Sequence, residues 1–266
     1  MGIELHAGIE RQGFATRTLF LGSALISMYA NLFLVSKAQY VFDKLSSQDL
    51  VTWDSLILAY AEKGENERAV QLYEELQEGR LPPCKYVLSC ALKACTNVGS
   101  LCEGRSIHDY LAKVGIDGDV VLGSSLIDIY GRSGVILEAR RVFDKLPEKN
   151  VVCWGAIITS YTLENMAHGA LEIFESMQEQ TVKPDQVTLL CVLKACGKIC
   201  ATKKYLQLHD AIMIRMDREL GTAVGNALID MYVKCGVIRK AHEVFDRLLN
   251  QDVVSWNARF AGYVDM

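Results

Sequence analysis

The sequence predicts an all-α fold, a right-handed α-α superhelix (solenoid) of stacked helical hairpins. One phrase recurs three times: "LISMYANLF" begins at Leu25, "LIDIYGRSG" at Leu126 and "LIDMYVKCG" at Leu228, with starts 101 and 102 residues apart. A second phrase, "VFDKL" or "VFDRL", begins 16 residues after each of these starts. Both phrases carry apolar residues at helical spacing. Repetition of this kind is typical of helical repeat proteins.

A shorter repeat unit appears when the chain is aligned on the last residue of "LIxxY". That position is held by Tyr29, Tyr60, Cys95, Tyr130, Tyr161, Cys196, Tyr232 and Tyr263. The steps between successive copies are 31, 35, 35, 31, 35, 36 and 31 residues. Always 13 residues later stands an aromatic residue or His, namely Phe42, Tyr73, His108, Phe143, Phe174, His209 or Phe245. Because this inner spacing is constant, we expect both side chains to lie in the core of a hairpin.

Each unit carries two amphipathic helices. In one of them Leu126, Ile127 and Tyr130 form an apolar face, Gly134 ends it, and a second face follows with Ile136, Ala139, Val142, Phe143 and Leu146. Glycine recurs at this turn, where a left-handed C-cap conformation suits it, as Gly64, Gly99, Gly134 and Gly236. A small residue recurs early in the second helix and allows close helix approach, as Ala38, Ala69, Ala139, Ala170 and Ala241.

A single hairpin cannot bury both of its faces, so stacked hairpins complete the core, and we expect about fifteen to sixteen helices and no strand. Three tryptophans stand at equivalent points of their units and are expected in equivalent environments: Trp53, Trp154 and Trp256.

Composition limits the class of protein. Half of the residues are apolar, 23% are charged and only 4 are Pro, so the chain is expected to fold around a large core. No apolar run reaches the roughly 18 to 20 residues of a membrane span, and the N-terminal residues lack a signal-peptide pattern.

The nine cysteines are expected to be reduced, small core residues in an intracellular compartment, because the chain has no CxxC. Cys90 and Cys95 recur as Cys191 and Cys196 with the same five-residue step, which favours packing over metal binding. Cys196 and Cys200 with His209 form the best metal candidate, but a second ligand pair is missing. We therefore expect neither a metal nor another cofactor.

The chain combines units of three lengths, each with its own recurring sequence phrases. This combination resembles the plant-type pentatricopeptide repeat family with alternating long and short units, the PLS class. Short units are 19–49, 120–150 and 222–252. Ordinary units, 50–84 and 151–185, open with "LVTWDSLI" and "VVCWGAII", and long units, 85–119 and 186–221, carry "ALKAC" and "VLKAC". Residues 1–18 resemble the end of a long unit and 253–266 the start of an ordinary one, so the chain is expected to be one solenoid array cut from a longer protein. Tetratricopeptide repeats also form hairpins, but they keep a uniform period that this chain breaks.

The resemblance implies sequence-selective binding of single-stranded RNA, one repeat to one nucleotide. In the family the second residue of a unit is an apolar wedge between neighbouring bases, here Phe20, Val51, Tyr86, Val121, Val152, Val187 and Ala223. The fifth and the last residue of a unit select the base. These pairs are Ser23 with Asp49, Asp54 with Cys84, Ser89 with Asp119, Ser124 with Asn150, Gly155 with Asp185, Leu190 with Gly221, and Asn226 with Asp252.

By the family's pattern a hydroxyl residue with Asp favours G, a hydroxyl residue with Asn favours A, and Asn with Asp favours U. The three short units should then favour G, A and U in chain order. Three pairs depart from the common combinations, and their units are expected to be permissive: those of Asp54, Gly155 and Leu190. Long units such as 85–119 are expected to contribute weakly even where their pair is ordinary.

Other interpretations stay open at several of these positions. Asp49, Asp119, Asn150, Asp185 and Asp252 each precede a helix, so all five also suit the N-cap position. Arg132, Lys198 and Lys234, each the thirteenth residue of its unit, are candidate phosphate contacts or solvated helix-end cations. The formal net charge of −4 predicts weak RNA binding by this segment alone.

No catalytic motif is present. Zinc deaminases need His-x-Glu followed by Cys-x-x-Cys, and the chain contains neither. We expect a non-enzymatic RNA-binding array of a plant mitochondrion or chloroplast that acts in RNA editing or processing. Its expected partners are single-stranded RNA and other RNA-editing or processing proteins, and no membrane. The alternatives are a protein-interaction scaffold that binds peptides, like a tetratricopeptide array, and a truncated product without function.

Overall fold

The computed structural model describes residues 19–79, 81–200, 212, 221–248 and 251–257. Thirteen α-helices with complete bounds lie in these ranges: α1 (Leu19–Asn31), α2 (Val35–Lys44), α3 (Leu50–Lys63), α4 (Asn66–Glu78), α5 (Lys85–Val98), α6 (Leu101–Val114), α7 (Val120–Arg132), α8 (Ile136–Lys145), α9 (Val151–Leu163), α10 (Ala167–Glu179), α11 (Gln186–Ile199), α12 (Gly221–Lys234) and α13 (Ile238–Arg247). Residues 253–257 are also helical, and the described part contains no strand. The all-α prediction is confirmed. Within these residues no helix combines the length and the apolar character that a bilayer crossing requires.

The helices are arranged as stacked hairpins in two compact units, Met1–Ile129 and Tyr130–Met266. In the first unit α1 packs against α3 and α3 against α5, and in the second α9 packs against α11 and α11 against α12. The second helix of a hairpin, such as α4 or α10, packs on its own first helix and on the next first helix. First helices therefore form one layer in each unit and second helices cover it, which is the predicted solenoid arrangement.

The difference between repeat lengths lies in the second helix. That helix has 10 residues in α2, α8 and α13, which belong to 31-residue repeats. It has 13 or 14 residues in α4, α6 and α10. The shorter repeats thus lack about one helical turn, or roughly 3.6 residues. The first helices begin at or within one residue of the predicted repeat starts, while the division into short, ordinary and long repeat types stays a prediction.

The turn between the two helices has the same backbone conformation in every described repeat. The fifteenth residue has a positive φ in Phe33, Gly64, Gly99, Gly134, Asn165, Cys200 and Gly236. The N–H of the residue directly before the second helix closes the first helix. Val135 N donates to Tyr130 O over 2.8 Å, and Val237 N donates to Tyr232 O over 2.9 Å. This bond satisfies a helix-end carbonyl and requires a left-handed residue just before the donor. The glycine prediction is confirmed. Phe33 and Asn165 adopt the same turn without glycine, and Cys200 has a positive φ at the same position.

The residues predicted to form the hairpin core are buried. Tyr29, Tyr60, Cys95, Tyr130, Cys196 and Tyr232 are buried at the "LIxxY" position, and Phe42, Tyr73, Phe143, Phe174 and Phe245 are buried thirteen residues later. Tyr161 and His108 are half-buried, whereas Tyr263 and His209 lie outside the described residues. All five small residues early in the second helices, Ala38, Ala69, Ala139, Ala170 and Ala241, are buried as well. The constant 13-residue spacing therefore joins two core positions of one hairpin.

The three tryptophans make equivalent ring contacts but differ in burial. Trp53, Trp154 and Trp256 each make an edge-to-face contact with the phenylalanine of the preceding repeat, with ring centroids 4.7, 4.8 and 4.9 Å apart. Their exposure differs, from 2% for Trp154 to 42% for Trp256. The shared ring geometry supports the register of the alignment, because an edge-to-face pair of this kind fixes the angle between the two residues.

The cysteines occupy both core and surface positions. Cys95, Cys153 and Cys196 are buried, Cys90, Cys191 and Cys235 are half-buried, and none of the nine forms a disulfide. Cys84, Cys102 and Cys200 are exposed, so the prediction of a core position is wrong for these three. Burial raises the pKa of Cys95 to about 12, so this thiol stays protonated at neutral pH. In the described part of the chain no group of His, Cys, Asp and Glu side chains is placed to hold a metal ion. His209 of the candidate metal set lies outside the described residues.

Candidate nucleic-acid interface

The second residue of each repeat is an exposed apolar side chain in the first turn of a first helix. The exposed fraction of the larger residues runs from 54% for Val152 to 84% for Phe20. Single exposed apolar residues are common on protein surfaces, but the same position in seven repeats is a regular pattern that indicates a binding surface. The first unit presents Phe20, Val51, Tyr86 and Val121, and the second presents Val152, Val187 and Ala223.

The fifth residue of each repeat lies one turn further along the same helix and is less exposed. Ser23, Gly155 and Asn226 are buried, and Asp54, Ser89, Ser124 and Leu190 are half-buried. Residues three apart on a helix share a face, so the fifth residue forms the floor beside the exposed apolar residue. The Ser23 and Ser124 hydroxyls donate to the carbonyls of Phe20 (3.0 Å) and Val121 (2.8 Å), which leaves their oxygen lone pairs as acceptors.

The last residue of a repeat caps the next first helix wherever it is Asp or Asn. Side-chain oxygens accept the N–H of the third residue after them, over 2.9 Å for Asp49, 3.2 Å for Asp119, 3.0 Å for Asn150, 2.8 Å for Asp185 and 2.8 Å for Asp252. The capping interpretation is therefore confirmed for all five residues. Selection of bases by these residues stays a prediction. Capping uses one oxygen, and the second carboxylate oxygen of Asp49 and of Asp185 has no hydrogen-bond partner among the described residues.

The pair Asn226 and Asp252 is joined by direct hydrogen bonds. The Asn226 amide nitrogen donates to the two carboxylate oxygens of Asp252 over 3.1 and 3.4 Å. Ser255, which is fully buried, donates its hydroxyl to the amide oxygen of Asn226 over 2.7 Å and accepts the N–H of Asp252 over 3.2 Å. The backbone N–H and then the hydroxyl of Ser255 lower the pKa of Asp252. Asn226 and Asp252 are therefore held as an oriented amide beside an ionised carboxylate.

Sequence reasoning missed Ser255 as a member of this group. The available signal was a hydroxyl residue three positions after a capping Asp, which also occurs at Thr52 and Thr188. At those two sites the hydroxyl bonds to the cap itself, where Thr52 Oγ1 donates to the Asp49 carbonyl and Thr188 Oγ1 to the Asp185 carboxylate, each over 2.7 Å. Ser255 differs because its hydroxyl also reaches the fifth residue of the preceding repeat.

Two further pairs differ in chemistry from Asn226 and Asp252. Burial raises the pKa of Asp54, and a hydrogen bond from the Cys84 thiol lowers it in part. This pair is thus a carboxyl group beside a weak donor, and Cys84 makes no side-chain cap bond. A Cβ atom added at Gly155 would lie 3.1 Å from Thr188 Oγ1. The fifth position of repeat 151–185 therefore has no side chain and little room for one.

The three candidate phosphate contacts lie at the ends of first helices and are exposed to solvent. Lys234 forms an ion pair with Asp230 over 2.6 Å. The Lys198 ammonium donates to the side-chain oxygen of Asn165. Arg132 is the last residue of α7. Exposed cations at helix C-termini are stabilised by the helix dipole in any protein, so their positions agree equally with both interpretations.

These features define a class of protein. It is a helical-repeat protein that presents one exposed apolar residue per repeat and, where the last residue is Asp or Asn, a fifth residue beside a helix-capping side chain. A protein-family model described as "PPR repeat" matches residues 51–81, 124–151 and 226–253, and one described as "PPR repeat family" matches residues 149–198. The chain belongs to the pentatricopeptide repeat family.

Curated relatives from Arabidopsis thaliana carry the same family name. A chloroplastic pentatricopeptide repeat-containing protein is 37% identical over 242 residues, which cover 90% of this chain and 45% of the relative. A mitochondrial one is 32% identical over 259 residues, which cover 97% of this chain and 41% of the relative. The chain thus spans less than half the length of these relatives.

Solved structures of the pentatricopeptide repeat protein PPR10 share the fold. PPR10 in complex with an 18-nt psaJ RNA element matches with a TM-score of 0.78 at 14% identity, over 99% of this chain and 40% of PPR10. PPR10 from maize matches with a TM-score of 0.53 at 19% identity, over 98% of this chain and 44% of that protein. At such identities the likeness shows the fold alone.

Proposed function

We propose that this chain is part of a sequence-selective, single-stranded RNA-binding array. The observation that carries the proposal is the regular surface of the first helices, where an exposed apolar residue precedes a buried or half-buried fifth residue in repeat after repeat. Membership of the pentatricopeptide repeat family and the fold shared with the RNA-bound PPR10 support it. No described feature favours a peptide-binding groove.

The proposed mechanism places one base between the apolar residues of two successive repeats. Stacking a base on an aromatic side chain contributes about 1–3 kcal/mol, and the valines contribute less because they have no π-face. Tyr86 and Phe20 are therefore the strongest stacking positions. The edge of the stacked base then meets the fifth and last residues of its repeat, whose groups select the base by hydrogen bonding.

Repeat 222–252 has the geometry best suited to one base. The edge of uracil presents a donor between two acceptors. The Asn226 amide has a second N–H beyond the one bonded to Asp252, and the ionised carboxylate accepts hydrogen bonds. An N–H from Asn226 and an acceptor on Asp252 thus complement uracil. On the family's pattern, repeats 19–49 and 120–150 select G and A.

We further propose that the complete protein acts in organellar RNA editing or processing. Several relatives are chloroplastic or mitochondrial proteins by name. The repeats would supply target recognition and leave chemistry to other proteins or domains. Since the net charge is −4, release of counterions adds little to affinity, and stacking with base selection must supply most of it.

The test compares Tyr86→Ala with Tyr40→Ala. Both tyrosines are exposed, Tyr86 at the second position of a repeat and Tyr40 on the second-helix layer. Fluorescence anisotropy with a single-stranded RNA of about ten nucleotides measures affinity. Tyr86→Ala should weaken binding by about five- to a hundredfold, which corresponds to about 1–3 kcal/mol of stacking. Tyr40→Ala should leave affinity unchanged. Equal effects of both changes, or no RNA binding by the chain, would contradict the proposal.

A further inference from the structure

The selecting pair of repeat 85–119 contains an ion pair that the other selecting pairs lack among the described residues. Lys85 Nζ lies 2.9 Å from Asp119 Oδ2. The other oxygen of this carboxylate, Oδ1, accepts the N–H groups of Val121 and Leu122 over 3.0 and 3.2 Å. Both oxygens of Asp119 are therefore occupied, and the hydrogen bond from Lys85 is the main cause of its lowered pKa.

The lysine lies on the solvent side of the carboxylate. The Lys85 side chain is 64% exposed and the Asp119 side chain 22% exposed. A base that approaches from solvent to meet Asp119 therefore encounters the ammonium group first. The charge of the carboxylate is also partly neutralised, which weakens its attraction for the donor groups of a base.

This arrangement is specific to one repeat because of the residue at its first position. The first residues of the other repeats carry no charge: Leu19, Leu50, Val120, Val151, Gln186, Thr222 and Val253. Asp49 and Asp185 occupy the same last position as Asp119, and their second carboxylate oxygens have no hydrogen-bond partner in the described part of the chain. The capping bond is thus common to these repeats, while the lysine is particular to repeat 85–119.

We propose that Lys85 silences base selection by Ser89 and Asp119. The inference rests on the proposed RNA-binding function. The repeat keeps Tyr86 as a stacking residue, so it holds a nucleotide but does not discriminate among bases. Lys85 is a specificity-determining residue that acts by occupying the selecting carboxylate. It gives a physical reason for a weak contribution of this repeat despite an ordinary Ser and Asp pair.

The experiment replaces Lys85 by Gln in the full chain. Affinity is measured for four single-stranded RNAs that differ only at the nucleotide opposite repeat 85–119. The unmodified chain should bind G and A at this position within about twofold, and Lys85→Gln should prefer G by about fivefold or more, the size of one good base contact. Adding Asp119→Asn to Lys85→Gln should move the preference from G to A.

Lys113→Ala is the matched control for loss of one positive charge in the same repeat, because this exposed lysine lies at the end of α6. It should lower affinity for all four RNAs alike and leave their ratios unchanged. A gain of G preference in Lys113→Ala equal to that in Lys85→Gln would overturn the proposal.

An internal reference separates this proposal from the proposed function. Asn150→Asp tests whether repeat 120–150 selects its base in the same chain. If that repeat changes its preference while Lys85→Gln stays indiscriminate between G and A, the silencing role of Lys85 is wrong and the RNA-binding function stands. If the chain binds no RNA, both proposals fail. Circular dichroism of each variant confirms that the helices are retained.

Discussion

Replacing Ser255 by Ala tests how repeat 222–252 orients its selecting amide. The Ser255 hydroxyl donates to the amide oxygen of Asn226 over 2.7 Å and lies 2.8 Å from Asp252 Oδ1. Without the hydroxyl, the Asn226 amide loses a hydrogen bond in a site where Asn226 is only 8% exposed. Its bond to Asp252 remains, but one end of the amide is no longer fixed.

Two magnitudes follow from this geometry. A buried acceptor left without its donor costs about 1–3 kcal/mol of folding free energy, so the unfolding midpoint should fall by a few degrees, at about 2–4 °C per kcal/mol for a chain of this size. Uracil and cytosine present opposite donor and acceptor groups at N3 and at the 4-position, and an amide that is fixed in one orientation distinguishes them. The preference for U over C at this position should therefore fall by about fivefold or more.

The assay combines thermal denaturation with anisotropy titrations on RNAs that carry U or C opposite repeat 222–252. Ser255→Thr, which keeps the hydroxyl, should restore both values. Thr52→Val is the matched control, since Thr52 holds the same position after Asp49 but its hydroxyl bonds to a backbone carbonyl. It should cost stability without changing the U over C ratio. If Ser255→Ala lowers affinity for U and C equally, the hydroxyl is a structural cap and does not orient Asn226.

Three other changes address separate parts of the molecule. Asn150→Asp should move the preference of repeat 120–150 from A toward G by about fivefold or more in the same anisotropy assay, and an equal loss for both bases would show that Asn150 is only a cap. Phe33→Gly should raise the unfolding free energy by about 0.5–1 kcal/mol, because a left-handed Phe is strained and Gly is not; Phe33 has a φ of 56° and its side chain is exposed. A chemical denaturation curve measures this unfolding free energy. Gly64→Ala, at a residue with a φ of 84°, should lower it. Lys234→Ala should weaken all RNAs alike and flatten the salt dependence of binding, and a base-dependent loss would contradict a phosphate contact.

The fold could be predicted from the sequence because its determinants are local and recur. The spacing of Tyr130 and Phe143 places two core residues in one hairpin, and every repeat reproduces it. The turns of Phe33, Asn165 and Cys200 could not be predicted. Their sequence gives no glycine signal, and at Phe33 and Asn165 the left-handed residue precedes the N–H that closes the first helix, from Leu34 to Tyr29 and from Met166 to Tyr161. Where two packed helices fix the connection, tertiary structure overrides the preference of a single residue.

The apolar row was expected from the family resemblance, which places an apolar residue second in each unit, and the structure leaves these side chains exposed. Contacts between residues far apart in the chain did not follow. Lys85 and Asp119, the first and last residues of one repeat, are 34 residues apart, and Asn226 and Ser255, in successive repeats, are 29 residues apart. Such contacts depend on how the hairpins stack, and the apolar pattern of a single helix carries no information about them.

In the proposed function, one carboxylate both caps a helix and selects a base. In repeat 222–252 the cap bond from Ser255 N fixes Asp252 Oδ1, and Asn226 then contacts the carboxylate so fixed. The residue that fixes the selecting Asp therefore belongs to the first helix of the following repeat. Wherever the last residue of a repeat is Asp or Asn, its cap bond forms only when the next helix is in place. A segment that ended at Asp252 would keep the residues of its last pair and lose the groups that orient them.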